Sequence, residues 1–347
     1  MEELRTSEPK SIGVAVIGFG RIGQVHAANA ASIPNVRVIV AADVDPTAAE
    51  LGRAMTKAER ATTDPLDAIG DPAVEAVVVA TPTDSHLHLI QAALYAGKAV
   101  FTEKPLASDL PSTRQLVAEW RRTQVPVQVG FMRRFDPGYV SAKKLLESGE
   151  LGRIEQFRSY SRDAQLPPPE FIRRSGGAFV DMSVHDFDIA RFLVGDIVEV
   201  CAWGSVLYDT RLAELDDVDT AVTTLRFGNG ALGVVEMARH SSWGYDIRTE
   251  VAGANGKVVV ETPQKTPIIV SRQGRSETDH CHGFADRFAQ AYRAELEAFF
   301  TAVTAGQKPN PGPDDALETM RVAFAARESW REGRPIPLDY ASHDEVL

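Results

Sequence analysis

The sequence predicts an α/β chain in two parts, a doubly wound parallel sheet followed by an α+β domain with a large, mostly antiparallel sheet. Three observations predict it. An apolar run, Ile12 to Ile17, leads into Gly18-Phe19-Gly20-Arg21-Ile22-Gly23; apolar strands alternate with helical stretches through the first third; and from Ile154 the runs lengthen, alternate in polarity and are separated by turn signals. The first two patterns mark parallel βαβ units, the third antiparallel pairing.

The run from Ile12 to Ile17 reads as a buried strand. The glycines after it allow a tight turn, bring backbone N–H groups against a pyrophosphate and let the next helix pack closely, while the helix N-terminus favours the anion. In this strand-to-helix context the motif is a Rossmann dinucleotide fingerprint. The second strand, Val36 to Ala42, ends in Asp43, 20 residues after Gly23, where an acid accepts hydrogen bonds from the adenosine ribose. A carboxylate there repels a 2′-phosphate, and no arginine within Val44-Asp45-Pro46 neutralises it, so the expected cofactor is NAD. Asp45 is the better helix cap.

Asp64-Pro65 then starts a short helix, Ala76 to Ala80 is a buried strand, and Ser85 begins a helix that stops at Gly97. Ala99 to Thr102 returns as a strand. Leu110 to Arg122 is helical, and Val125 to Val129 completes a nucleotide-binding half that ends near Arg133. The expected domains are 1–133, dinucleotide-binding, and 134–347, for substrate and oligomer contacts. In the second, strands are expected over Ile154–Arg162, Val198–Tyr208, Thr220–Phe227, Ala231–Ala238, Ile247–Ala252 and Lys257–Glu261. Turns at Gly228-Asn229-Gly230 and Ala254-Asn255-Gly256 separate consecutive runs. Helices near Val184–Leu193, Phe284–Ala305 and Pro313–Arg331 should cover one face of that sheet, leaving the other for an oligomer interface.

Composition bounds the function. The 347 residues are 44% hydrophobic and 24% charged, with a net charge of −11, which disfavours a nucleic-acid surface. Cys201 and Cys281 are too few for a disulfide framework, and the first ten residues are polar with no apolar signal core. No stretch nears the roughly 20 apolar residues of a membrane span. The expectation is a cytoplasmic protein that handles a small molecule and touches neither membrane nor nucleic acid. His280-Cys281-His282 lacks the further ligands a metal site needs, so no metal is expected.

In an open parallel sheet, ligands bind beyond the carboxyl ends of the strands. Two loops there stand out, Thr81-Pro82-Thr83-Asp84-Ser85-His86 and Glu103-Lys104-Pro105. The expected cofactor contacts are Gly18, Gly20, Arg21, Ile22, Gly23, Asp43, Thr81, Pro82, His86, Glu103 and Lys104. Farther on, Gly176 to Asp188 holds Asp181 and His185 four residues apart, on one helix face. A histidine oriented by a carboxylate can take the hydroxyl proton when a secondary alcohol is oxidised. Such a pair is also a common structural contact between helix turns.

Val16 to Gly23, the Thr81–His86 loop, Ala96-Gly97-Lys98 with Glu103-Lys104-Pro105, and Gly176 to Asp188, in that order, resemble the glucose–fructose oxidoreductase/inositol dehydrogenase (Gfo/Idh/MocA) family over most of the chain. Gly130-Phe131-Met132-Arg133-Arg134-Phe135-Asp136 and Gly244-Tyr245-Asp246 resemble its inositol 2-dehydrogenase branch. The resemblance implies NAD-dependent oxidation of a ring hydroxyl of a polyol, with Lys104, Asp181 and His185 as the catalytic group. His185 would be the base, Asp181 would orient it and bind a substrate hydroxyl, and Lys104 would hydrogen-bond the reacting oxygen. Arg134, Arg133, Asp163 and Tyr245 would line the polyol pocket with Asp181 and His185, in a dimer or tetramer. Ser161-Arg162-Asp163-Ala164 stands where some members carry a His-Arg-Asn-Pro-like segment, and Arg239-His240-Ser241 replaces an asparagine region, so the polyol stays open between a cyclitol such as myo-inositol and a pyranose, anhydrosugar or glycoside. A regulatory protein that binds NAD(H) without turnover is the reading from another class.

Overall fold

A computed structural model of the chain describes residues 11–338. It divides into two compact units: one runs through Gly130 and takes up the chain again from Tyr292 to Asp314, the other runs from Phe131 to Ala291 and from Asp315 onward.

In the first unit the apolar runs form a six-stranded sheet from β1 (Ile12–Ile17), β2 (Val36–Ala42), β3 (Arg60–Thr62), β4 (Ala76–Val79), β5 (Ala99–Glu103) and β6 (Val127–Gly130). Its order is β3-β2-β1-β4-β5-β6 and every pairing is parallel. The chain therefore switches direction across the sheet between β1 and β4, the crevice where such sheets bind nucleotides. Helices α1 (Arg21–Ser32), α2 (Pro46–Thr56), α3 (Pro65–Gly70), α4 (Thr83–Tyr95) and α5 (Leu110–Thr123) link the strands. Asp45 and Asp64 cap α2 and α3 by accepting the N–H of Thr47 and Leu66, each with proline just inside the helix. Ser85 does not start α4: its hydroxyl bonds Thr81 Oγ1 and the Pro82 carbonyl from within the first turn.

A further expectation is overturned in this unit. The helix Ala289–Thr304 does not cover the second sheet; Leu296, Phe299 and Phe300 join Val14, Val16, Phe101 and Ala27 in the core of the first. Its apolar stripe is legible in the sequence, but a stripe specifies burial and not which sheet receives it.

The second unit carries β7 (Ile154–Arg162), β8 (Ile197–Ser205), β9 (Thr220–Phe227), β10 (Leu232–Ala238), β11 (Asp246–Gly253) and β12 (Gly256–Val260), in the order β12-β11-β7-β10-β9-β8, with Ile336–Pro337 added beyond β8. Only β7 and β10 pair in parallel; the other neighbours are antiparallel. Ala221, Thr223, Leu225 and Phe227 of β9 point inward, and Phe227 meets Phe157 edge-on. On the inner side lie α6 (Pro137–Glu147), α7 (Pro169–Ser175), α8 (Ala178–Asp181), α9 (Val184–Val194) and the helix Pro313–Glu332, whose Ser329 accepts the Ala202 N–H. Helix α6 was not expected, although Asp136 caps it and Pro137 opens it. The hairpin of Val270–Arg272 and Arg275–Glu277 is a further unexpected element. On the outer face Trp203 stands opposite Val222 and Leu232 opposite Arg226; Trp203 and Leu232 are 66% and 60% exposed.

Candidate active site

The glycine loop of the first unit has the geometry a dinucleotide needs. Gly18 adopts φ +94°, and a Cβ at Gly23 would lie 2.1 Å from the Gly18 carbonyl oxygen, so the turn and the close start of α1 both require glycine. Gly20, at the N-cap, has no side chain to bond the first-turn N–H groups, which suits them to a phosphate. Asp43 is drawn to the loop, its Oδ2 accepting the Phe19 N–H at 2.7 Å and Oδ1 the Asp45 N–H at 3.0 Å. Arg21, Gly20 and Pro82 are exposed, and Ile22, Thr81 and Lys104 are half-buried.

Glu103 and His86, placed by the sequence among the cofactor contacts, are turned into the interior. Glu103 Oε1 lies 2.7 Å from Nε2 of the fully buried His26 on α1. His86 is 1% exposed, with Nδ1 2.7 Å from the Pro105 carbonyl and Nε2 2.8 Å from that of Thr81. Both carbonyls only accept, so the neutral ring donates to one of them and only the protonated ring donates to both. Burial pulls the His86 pKa below the usual histidine value, and the two carbonyls and Glu103 oppose that pull. His88 on the same helix is exposed.

In the second unit the register gathers the candidate residues. Arg162 pairs with Ala238 and with Asp246, so Asp163, Arg239 and Tyr245, each one residue beyond, emerge at one end of three adjacent strands. Asp181 and His185 do not share one helix face as expected, because the helix breaks between them: Asp181 ends α8 and His185 lies in the first turn of α9, both half-buried, with the Phe131 ring edge-on to the imidazole at 6.5 Å. Arg239, fully buried, reaches Asp181 Oδ2 at 3.5 Å and Asp217 Oδ2 at 3.2 Å, while Asp217 Oδ1 accepts the Ala178 N–H at the start of α8. The sequence marked Arg239 only as a departure from a family pattern; an arginine after a strand is otherwise read as solvated. Burial pushes the Tyr245 phenol well above its ordinary pKa, with the negative charge of Asp163 adding to the rise. The proline segment ends in structure, since Pro169 opens α7.

Arg133 and Arg134 are buried and already paired. Asp186 Oδ1 accepts from Arg133 Nη1, Ser159 and Ser161, each at 2.7 Å. Arg134 grips Asp188 through Nε and Nη2 and reaches Asp315 through Nη1. Burial opposes the charge of each guanidinium, yet the carboxylates raise both pKa values above that of ordinary arginine. Among the described residues, the one set of three buried metal-capable side chains with donor atoms within 4.8 Å of one another is His26, Glu103 and Glu295.

A 3-2-1-4-5-6 parallel sheet with a glycine loop and an acid just after its second strand, followed by an α+β domain that carries Asp181 and His185, defines a two-domain Rossmann oxidoreductase. The chain belongs to the Gfo/Idh/MocA oxidoreductase family: residues 12–131 match its NAD-binding Rossmann fold and residues 143–338 its C-terminal alpha/beta domain. It is 38% identical over 332 residues to scyllo-inositol 2-dehydrogenase (NAD(+)) of Bacillus subtilis (strain 168), covering 94% of this chain and 96% of that one. Myo-inositol 2-dehydrogenase of Thermotoga maritima is 37% identical over 328 residues, with 94% and 98% covered. Among solved structures, scyllo-inositol dehydrogenase from Lactobacillus casei with bound NAD(H) and scyllo-inositol superposes with a TM-score of 0.89, at 29% identity over 94% of this chain and 99% of that one.

Proposed function

We propose that the protein is an NAD-dependent cyclitol dehydrogenase that oxidises a ring secondary hydroxyl of myo-inositol or a stereoisomer to the ketone. What carries the reading is whole-length similarity to inositol 2-dehydrogenases, supported by an Asp181–His185 pair of the type the chemistry needs. NAD⁺, when bound, accepts the hydride at nicotinamide C4. Gly18 to Gly23 hold the pyrophosphate at the start of α1, and Asp43 accepts the ribose hydroxyls. His185 takes the hydroxyl proton as the carbon–hydrogen bond breaks, so that one hydride and one proton leave the alcohol together. Asp181 orients the imidazole and accepts from a neighbouring hydroxyl, and Lys104 donates to the reacting oxygen. Arg239 holds Asp181, while Arg133 and Arg134 act through Asp186 and Asp188 by fixing α9. Asp163 and Tyr245 supply polar groups that replace water around the ring.

The outer sheet face that carries Trp203, Val222 and Leu232 suits a second copy of this chain, giving a dimer or tetramer. A cytoplasmic location follows from reliance on the NAD(H) pool and fits free Cys201 and Cys281. The test is NAD⁺ reduction across inositol stereoisomers, inosamines, hexoses, anhydrosugars and glycosides, repeated with NADP⁺. Activity on inositols is expected; activity on pyranoses alone would replace the substrate, and none throughout would return the protein to a regulatory role.

A further inference from the structure

Lys104 sits between two residues that are each held by a buried histidine. On one side the Glu103 carboxylate meets His26 at 2.7 Å; on the other the Pro105 carbonyl meets His86 at 2.7 Å. The two histidines come from the helices that follow the cofactor loops. His26 lies in α1, which begins at the glycine loop, and His86 lies in α4, where its second nitrogen also holds the Thr81 carbonyl at 2.8 Å.

The His26–Glu103 contact, at 2.7 Å, is a hydrogen bond. Glu295, from the returning helix, joins the same cluster fully buried, with no hydrogen-bond partner for either carboxylate oxygen among the described residues. Burial, with the negative charge of Glu103 adding to it, raises the Glu295 pKa well above the usual carboxyl value. Phe101 and Tyr292 close over His26 edge-on. In such a dry setting a lost partner is not replaced by water, so the geometry of Glu103 depends on His26.

We infer that His26 and His86 are positioning residues for Lys104, anchoring the tripeptide Glu103-Lys104-Pro105 from both flanks to the two loops that hold the cofactor. The anchorage rests on the proposed action of Lys104 at the reacting hydroxyl. Asparagine places an N–H near the position of histidine Nδ1, and glutamine near that of Nε2. His86→Asn therefore keeps the bond to Pro105, and His86→Gln keeps only the bond to Thr81.

The expected result is a split. His86→Gln lowers kcat about 10- to 100-fold, the scale of a misplacement of about 1 Å, with the KM for NAD⁺ within about twofold of wild type; His86→Asn recovers most of that loss. His26→Ala behaves like His86→Gln, and His26→Gln, which still donates to Glu103, recovers. Hydrogen exchange of peptides spanning 103–107, read without any substrate, rises in His86→Gln and His26→Ala and falls back in the two rescuing variants. Equal losses in His86→Asn and His86→Gln, a loss confined to the KM for NAD⁺, or unchanged exchange would overturn the inference. Lys104→Ala separates it from the catalytic reading. If Lys104→Ala lowers kcat to a small residual rate while the histidine variants match wild type, only the positioning role fails; if Lys104→Ala turns over normally, both fail. In the Lys104→Ala background, His86→Gln should cost nothing further in kcat.

Discussion

Replacing Asp43 with asparagine preserves the shape of the side chain and one acceptor oxygen while removing the charge. The remaining oxygen keeps the Phe19 N–H, the shorter of its two contacts at 2.7 Å, so the glycine loop stays in place and the Asp45 turn loses one exposed bond. For NAD⁺, two ribose hydroxyls exchange a charged acceptor for a neutral one, about 1 kcal/mol each. For NADP⁺, the repulsion between carboxylate and 2′-phosphate disappears, worth about 1 kcal/mol when fully solvated and more in the crevice. Together these shift discrimination by about 3 kcal/mol, or about 100-fold in the ratio of kcat/KM for NAD⁺ over NADP⁺. Both cofactors should be assayed with the same polyol at one ionic strength, because the repulsive part is screened by salt. A ratio within about twofold of wild type would refute the placement of Asp43 at the ribose.

Three other outcomes are expected. Arg134→Ala leaves Asp188, 1% exposed, without its main cation and should destabilise the protein by about 3–5 kcal/mol in denaturant unfolding, with the polyol KM of the folded enzyme unchanged; a raised KM at an unchanged midpoint would return Arg134 to the pocket. His185→Ala should lower kcat by about 10²–10⁴, and oxidation at the wild-type rate would remove it as the base. Because the fold raises the Glu295 pKa, its contribution is fully present below the unfolded carboxyl pKa and is lost as pH rises through the raised folded value. Glu295→Gln should therefore lose less stability than wild type as pH rises above the ordinary carboxyl value of about 4.3, and parallel thermal-melt profiles would show that ionisation there carries no cost.

The elements themselves were largely legible. Apolar runs fixed five of the six parallel strands to within a few residues, and β7 and β9 have the bounds their alternation predicts. The exposed outer face of the second sheet was also legible in the alternation of β9. Harder to read was a helix such as α6, whose Asp136-Pro137 start lay in the sequence but inside a stretch already given to a family motif. For the site, the glycine loop could be read because it is backbone geometry at a fixed spacing, a local property of the chain.

Arg133, Arg134, Glu103, His86 and Arg239 could not be read in that way. As residue types they are polar groups expected at a surface or a ligand, yet all five are buried and engaged with protein partners. Arg134 and Asp188 lie 54 residues apart, and His26 and Glu103 lie 77 apart; nothing in either neighbourhood names the other. The sequence by itself determined the two sheets and the glycine loop, since periodicity, turn chemistry and short spacings act within a few residues. Only the tertiary structure decided which sheet buries Leu296 and Phe299, and which charged groups meet each other instead of solvent, because a buried charge is stable only beside the partner that packing brings to it.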